Sequence, residues 1–181
     1  MSKLSGYILA GGKSSRMGTD KGLVIHEGKK LIQHVIDACS PVCHNLHIVT
    51  SNADYDQFKL PIIADEQKNC GPLGGVAAAL NHTYSDFNLI VSCDMPYITS
   101  ELLHQLVAHC TTASCCVSQG HLQPLPLVIH RKYCNTAIEQ LRLGEYSLIE
   151  FLNKTDTDVL MVEEMPASRM FENINRPEQL R

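Results

Sequence analysis

Apolar runs with few interior charges alternate along the chain with stretches whose apolar residues recur at helical spacing. Runs rich in Val, Ile and Leu are typical of strands that are buried on both faces of a mainly parallel sheet. Strands are predicted for residues 6–10, 46–50, 61–64, 88–93, 125–130 and 158–164, and helices for 31–39, 74–84, 100–110 and 134–144. Because alternating strands and helices indicate βαβ crossovers, the pattern predicts an α/β fold, a three-layer sandwich with a mainly parallel sheet.

Local signals add detail to this prediction. Thr99 or Ser100 is a candidate N-cap of the third helix, and Gly144 is a candidate stop for the fourth. Polar clusters with the sequences LAGG, TSN, ADE and SCDMP stand at the ends of four predicted strands. Since open α/β sheets bind ligands at the carboxyl ends of their strands, these clusters are expected to converge on one edge and form the site.

Composition excludes several classes of protein. With 181 residues, 44% of them hydrophobic, the chain suits one domain over residues 1–181. A net charge of −4 argues against a general nucleic-acid-binding protein, which normally has a basic face. No apolar run approaches the roughly 20 residues that cross a bilayer, and no signal sequence precedes the first strand. We therefore expect a cytoplasmic protein without nucleic-acid or membrane partners.

The eight cysteines contain no C-x-x-C pair and are expected to be mostly buried free thiols. Cys39, Cys43, His44 and His47 are all residue types that bind zinc. Their spacing does not match the common zinc fingers, so a helix end followed by a turn is favoured. No histidine is assigned to catalysis.

The stretch LAGGKSSRMGTDK, residues 9–21, is the first candidate for chemistry. Glycines at 11 and 12 allow backbone N–H groups to approach a ligand closely. The stretch matches neither a Walker A loop nor G-x-G-x-x-G. Three cations, Lys13, Arg16 and Lys21, surround a single acid, Asp20, within an acidic chain. This concentration of positive charge predicts a polyphosphate site.

The run LAGGKSSRMGTDKGL resembles the signature of nucleotidyltransferases, most closely that of the molybdenum cofactor guanylyltransferases. GPLGG (71–75), SCDMPYI (92–98) and FENINRPEQL (171–180) resemble that family's later motifs in the same order. The resemblance covers nearly the whole chain. It implies a Rossmann-like nucleotidyltransferase domain that transfers GMP from GTP to the phosphate of molybdopterin bearing molybdenum. It further implies cofactor-receiving molybdoenzymes or their chaperones as partners, whereas Mg²⁺ as cofactor is predicted from the residues themselves.

Such a transfer requires attack on the α-phosphorus of a triphosphate, with pyrophosphate leaving, so the enzyme must mainly position and neutralise a polyanion. Lys21 and Arg16 suit the phosphates, lysine as a point charge and arginine as a two-pronged donor. Asp94 follows an apolar strand and precedes Met95-Pro96, which places its carboxylate at a strand end. Because Mg²⁺ uses one or two carboxylates plus substrate phosphates, Asp94 is the predicted metal ligand.

The resemblance implies further contacts with the nucleotide. The predicted binding set is Leu9, Ala10, Gly11, Gly12, Lys21, Asn52, Asp65 and Asp94. The family often has asparagine at the position of Thr50, and Asn52 is the candidate substitute. Asn175 is a candidate neighbour of the metal, and GPLGG is expected to lie against the base. Where a relative carries arginine, this chain has Tyr146-Ser147, which leaves Arg142 and Arg131 as candidates for the acceptor phosphate.

Two alternatives remain open at this point. One is a related CTP-dependent enzyme that acts on molybdopterin or on a small phosphorylated acceptor. Methylerythritol phosphate cytidylyltransferases usually have proline before the equivalent of Lys21, where this chain has Asp20, which counts against that branch. The other is a nucleotide-binding chaperone without catalysis, which the presence of both Lys21 and Asp94 disfavours.

Overall fold

A computed structural model of the chain describes residues 3–11, 20–65, 69–162, 169–175 and 177–180. Its main sheet contains β1 (Ser5–Leu9), β4 (Asn45–Val49), β5 (Ile62–Ile63), β6 (Phe87–Ser92), β7 (Ala113–Ser118), β8 (His121–His130) and β9 (Thr157–Met161). The short strands β2 (Ile25–His26) and β3 (Lys29–Lys30) form a separate hairpin. The α-helices are α1 (Leu31–Cys39), α2 (Gly71–His82), α3 (Ser100–His109), α4 (Cys134–Arg142) and α5 (Leu148–Leu152). Short 3-10 helices span Lys21–Leu23, Ala53–Phe58, Arg131–Tyr133 and Pro177–Gln179.

The main sheet has the strand order β5-β4-β1-β6-β8-β7-β9. Strand β8 runs antiparallel to both of its neighbours, and the other pairings are parallel. The predicted α/β class with a mainly parallel sheet is therefore confirmed. The carboxyl ends of β5, β4, β1 and β6 share one edge, which is where a ligand site is expected.

Helices cover both faces of the sheet and give it three layers. One apolar cluster joins Ile8 of β1 to residues of α1 and α3, and a second joins Tyr7 and Leu9 of the same strand to residues of α2, α4 and α5. Alternate side chains of β1 thus enter opposite cores, as the period of a strand requires. Helix α2 lies close to β1, because an ideal Cβ on Gly75 would be only 2.8 Å from Leu9 Cδ2.

Strand β7 was not predicted. Its sequence ASCCVS lacks a run of Val, Ile or Leu, yet most of it is buried, since alanine and cysteine are among the residues most often found inside proteins. A two-residue turn joins it to β8, and both turn residues, Gln119 and Gly120, have positive φ (51° and 72°). The hairpin lengthens β8 to ten residues, where six had been predicted.

Other boundaries differ by a few residues. Helix α2 begins at Gly71 and not at residue 74, with Pro72 in its first turn, a position that proline favours. Thr99 is the N-cap of α3, since its Oγ1 accepts a hydrogen bond from the Leu102 N–H at 3.3 Å. Gly144, with φ of 77°, follows the end of α4 as expected. Strand β9 ends at Met161, and residues 163 and 164 of the predicted strand lie outside the described residues.

The cysteines are free thiols, and five of the eight are buried, as the sequence predicted. Cys39 ends α1, and His47 lies in β4, where it stacks on Tyr7 with ring centroids 4.9 Å apart. Among the described residues, no three His, Cys, Asp or Glu side chains are grouped to hold a metal ion. None of the described helices has the length and apolar character needed to cross a membrane.

Candidate functional site

The polar strand ends meet around a cavity of about 860 Å³. Its lining residues include Leu9, Ala10, Gly11, Asp20, Thr50, Ser51, Asn52, Asp65, Gly71, Pro72, Gly75, Ser92 and Leu125. The predicted convergence of four clusters on one edge is confirmed. Each cluster contributes a lining residue at the end of its strand or within two residues after it.

Backbone hydrogen bonds hold the end of β1 between its neighbours. The Ala10 N–H donates to Val49 O at 2.9 Å, and Leu9 O accepts from the Cys93 N–H at 3.0 Å. Gly11 therefore emerges between the ends of β4 and β6. An ideal Cβ on Gly11 would lie 3.5 Å from Asp65 Oδ2, so the Asp65 carboxylate faces this turn across the cavity wall.

The N-terminus of α2 forms another part of the wall. Gly71, with φ of 59°, Pro72 and Gly75 all line the cavity. The first N–H groups of a helix lack partners within the helix and carry its positive dipole end. A helix of twelve residues at this position favours an anionic or hydrogen-bond-accepting ligand.

Lys21 and Asp94 form an ion pair next to this cavity. Lys21 Nζ lies 2.6 Å from Asp94 Oδ2, and the side chains are 20% and 10% exposed. Lys21 Nζ also donates to Asn175 Oδ1. The Ile174 N–H donates to Asp94 O at 3.0 Å, which ties the segment 169–175 to the end of β6. Residues 21, 94 and 175, far apart in sequence, therefore meet at one point.

One carboxylate oxygen of Asp94 takes no part in the ion pair with Lys21. Its Oδ1 is buried and has no hydrogen-bond partner within the part of the chain that the structure describes. A buried, unpartnered carboxylate oxygen is costly unless a cation or a donor satisfies it. Together with the amide oxygen of Asn175, it provides the oxygen ligands that Mg²⁺ prefers. The residues present therefore fit a magnesium ion.

The comparisons with known proteins agree with this geometry. Residues 6–159 match the model of the MobA-like NTP transferase domain. The chain belongs to this family. A protein of Flavobacterium johnsoniae named a probable molybdenum cofactor guanylyltransferase is 35% identical over 99% of this chain and 96% of its own length. The molybdenum cofactor guanylyltransferase of Vibrio cholerae is 32% identical over 99% of this chain and 90% of its own.

A solved structure has the same fold. It is the molybdopterin-guanine dinucleotide biosynthesis protein A of Archaeoglobus fulgidus, which superposes with a TM-score of 0.75 at 23% identity and covers 96% of this chain and 93% of its own. The similarity confirms the Rossmann-like nucleotidyltransferase architecture that the resemblance implied.

Within this MobA-like domain, the structure describes most of the predicted site residues. Leu9, Ala10, Gly11, Asn52 and Asp65 line the cavity, and Lys21 pairs with Asp94 beside it. Gly12, Lys13 and Arg16 lie outside the described residues. The binding roles of all of these residues stay predictions.

The two arginine candidates for the acceptor lie in different places. The Arg131 N–H donates to Asp86 O at 2.8 Å, just before the start of β6, so Arg131 is at the sheet edge opposite the cavity. The antiparallel direction of β8 explains this position. Arg142 ends α4 and pairs with Glu139 at 3.9 Å. The loop that follows it approaches the cavity, since Tyr146 O is 3.8 Å from an ideal Cβ on Gly71.

Sequence reasoning gave no role to Asp20 or Tyr55. The Tyr55 hydroxyl donates to Asp20 Oδ1, and Asn52 Nδ2 donates to Asp20 Oδ2 at 3.1 Å. The signal that could have found Asp20 is its position, as the single acid of a cationic stretch and directly before Lys21. No comparable signal marks Tyr55, which lies in a separate 3-10 helix.

Proposed function

We propose that the chain transfers GMP from GTP to the terminal phosphate of a molybdopterin bearing molybdenum, and releases pyrophosphate. An oxygen of the acceptor phosphate forms a bond to the α-phosphorus of GTP while the bond to the β-phosphate bridging oxygen breaks. The electron pair of that bond leaves with pyrophosphate. The names of the similar proteins support the substrates, and the Lys21–Asp94 pair beside a cavity at the strand ends supports the chemistry.

The nucleoside is assigned to the cavity. The backbone of Leu9, Ala10 and Gly11 offers carbonyl and N–H groups at close range, and the Asp65 carboxylate beside Gly11 can accept from guanine N–H groups or from ribose hydroxyls. The N-terminus of α2 adds unpaired N–H groups. Because glycines occupy both walls, a flat base can lie against the backbone.

The phosphates are assigned to the Lys21 side. Lys21 neutralises the polyphosphate and offers donors to its oxygens, and Arg16 and Gly12 belong to the same predicted loop. Mg²⁺, held by Asp94 and Asn175, would neutralise charge on the phosphates during the transfer. Asp94 in turn keeps the Lys21 ammonium oriented, at 2.6 Å. Catalysis then rests on positioning and charge, without a covalent enzyme intermediate.

Pyrophosphate release tests the proposal directly. The protein is incubated with GTP, Mg²⁺ and molybdopterin carrying molybdenum, and pyrophosphate and the guanine dinucleotide product are measured. Pyrophosphate that depends on the acceptor supports the transfer. GTP binding without pyrophosphate would instead support a chaperone, and faster turnover with CTP would support the cytidylyl alternative.

A further inference from the structure

A second carboxylate, Asp20, lies at the cavity but differs from Asp94 in its contacts. Asp20 Oδ1 accepts from the Gly22 N–H at 3.3 Å and from the Tyr55 hydroxyl, and Oδ2 accepts from Asn52 Nδ2 at 3.1 Å. Both oxygens are thus engaged with the protein, whereas Asp94 Oδ1 has no partner among the described residues. The difference leaves Asp94 as the acid suited to a cation.

The charge of Asp20 opposes the binding of a polyanion, so its presence needs another reason. Asp20 is the N-cap of the 3-10 helix Lys21–Leu23, and its backbone carbonyl accepts from the Leu23 N–H at 3.1 Å. Caps of this kind fix the first turn of a helix by satisfying its free N–H groups. Since Lys21 is the residue directly after Asp20, the direction of the lysine side chain depends on this cap.

The turn that carries Lys21 rests on Tyr55. Tyr55 is completely buried, and an ideal Cβ on Gly22 would overlap its hydroxyl and lie 3.2 Å from Cys93 Sγ. Burial, followed by the neighbouring Cys93 and Asp20, raises the pKa of Tyr55. The hydroxyl therefore stays protonated and remains a donor to Asp20.

Asn52 connects this turn to the end of β4. Its Oδ1 accepts from the Asp54 N–H at 2.9 Å, while its Nδ2 donates to Asp20. Both ends of the amide already have protein partners. Asn52 is thereby suited to act on the nucleotide site through Asp20.

We infer that Asp20 is a positioning residue for the transfer reaction: held by Tyr55 and Asn52, it fixes the turn that presents Lys21 to the phosphates and to Asp94. The inference rests on the proposed function, because it assumes that Lys21 acts on the polyphosphate. Asp20 itself touches neither phosphate nor metal. Its contribution passes through the orientation of Lys21.

Exchange of the hydrogen-bonding partners provides the first test. In Asp20→Asn the amide oxygen is expected to stay with the two donors on its side, the Gly22 N–H and the Tyr55 hydroxyl, which turns the new NH2 group towards Asn52 Nδ2, so two donors face each other. A displacement of about 1 Å in a positioning group can cost about 10²-fold in rate, and we expect kcat for pyrophosphate release to fall by about 10-fold to 100-fold. Adding Asn52→Asp restores a donor and an acceptor with their roles reversed. The double variant should recover to within about threefold of the wild-type kcat.

Electrostatics alone predicts the opposite result for the single variant. Removing a negative charge beside the polyphosphate would tighten GTP binding and would not slow turnover. Asp56→Asn is the matched control, since Asp56 is an exposed acid of the 3-10 helix Ala53–Phe58 and does not line the cavity. Tighter GTP binding by Asp20→Asn with unchanged kcat would overturn the inference.

A cycle with Lys21→Ala tests whether Asp20 acts through the lysine. GTP and GMP affinities with Mg²⁺ are measured by calorimetry, together with kcat. In the Lys21→Ala background, adding Asp20→Asn should change neither the nucleotide affinities nor kcat by more than about twofold. The effects of residues that act as a unit are not additive. Equal effects in both backgrounds would refute the inference and leave the proposed function intact. If Lys21→Ala itself leaves GTP affinity and kcat unchanged, the phosphate role in the proposed function fails as well.

Tyr55→Phe keeps the test decisive should Asp20→Asn not fold. This variant removes one donor to Asp20 and keeps the buried ring. We expect kcat to fall by about 3-fold to 10-fold, the scale of one hydrogen bond, with GMP affinity unchanged. A folded Tyr55→Phe protein with wild-type kcat would overturn the inference.

Discussion

The variant Asp94→Asn is expected to lower turnover more than it lowers the stability of the fold. The substitution exchanges the carboxylate that pairs with Lys21 for an amide of the same shape, so that an NH2 group takes the place of one of its two oxygens. An amide oxygen can still accept from Lys21 Nζ, and Asn175 Oδ1 accepts from it too. The lysine is therefore left with partners, and the protein is expected to fold.

Two magnitudes decide the expected result. The pair is 2.6 Å long and mostly buried, but the attraction between two such charges is largely offset by their desolvation. Removing one charge of a fully buried pair costs about 3–5 kcal/mol, but the Lys21 side chain is 20% exposed and keeps two amide oxygens as acceptors, so we expect a smaller loss of about 1–2 kcal/mol in unfolding free energy. Losing one preorganised electrostatic contact lowers turnover by about 10²–10³-fold, or about 2.7–4 kcal/mol. The loss of activity should thus exceed the loss of stability.

The assay is pyrophosphate release at saturating GTP and acceptor across a Mg²⁺ titration, with thermal unfolding measured in parallel. Asp86→Asn is the control, because Asp86 is exposed and precedes the opposite end of the same strand, β6. We expect Asp94→Asn to lower the maximal rate and to need more Mg²⁺, and Asp86→Asn to change neither. Full turnover by Asp94→Asn at limiting Mg²⁺ would remove Asp94 from the metal site.

Three further predictions follow from the site and its surroundings. Lys21→Ala should weaken GTP binding more than GMP binding in calorimetry, because the ammonium is assigned to the outer phosphates; equal losses would make it a general surface cation. GTP should support faster pyrophosphate release than ATP or CTP by about 10²-fold, since two unpaired buried polar groups each cost about 1–3 kcal/mol, with inosine triphosphate between them. Burial lowers the pKa of His47. Because the unfolded chain then binds this proton more readily than the folded one, stability should be complete above about pH 6.5 and decrease as the pH falls below it, towards the folded-state pKa. Urea unfolding at pH 7.5 and pH 5.5 should show a smaller loss for His47→Phe than for the wild type, and an identical loss would contradict the assignment.

The sequence predicts those strands whose buried positions are occupied by aliphatic residues. Strands β1, β4 and β6 each contain consecutive Val, Ile or Leu residues and have a neighbouring strand on both sides, and their predicted positions agree within one residue. Strand β7 is about as buried but is built mainly from Ala, Ser and Cys, with a single Val, and so lacks the aliphatic run that marks the other strands. Its place in the sheet is set by pairing with β8 and β9, a tertiary effect that overrides local propensity.

The candidate site likewise has parts that the sequence predicts and parts that it does not. Lys21 and Asp94 could be predicted because they lie in recognisable motifs. The position of the cavity could be predicted because a parallel sheet brings the carboxyl ends of its strands to one edge, whatever the loops contain. The contacts around Asp20 could not be predicted, because Tyr55 reaches it from a separate 3-10 helix. Asn52 shows the limit of a motif. Its position at the cavity was expected, whereas its engagement with Asp20 and Asp54 depends on side-chain geometry.

The hydrogen bond between Ile174 and Asp94 implies an order in which the parts of the site form during protein synthesis. The ribosome adds about 5–20 residues per second, so Asn175 is made several seconds after Asp94. Strands β1, β4 and β6 can pair in that interval, and Lys21 can already meet Asp94. The Asn175 oxygen arrives only when residues 169–175 dock on the finished end of β6. A nascent chain can therefore have a nearly complete sheet and still lack Asn175, one of the three side chains that meet at the end of β6.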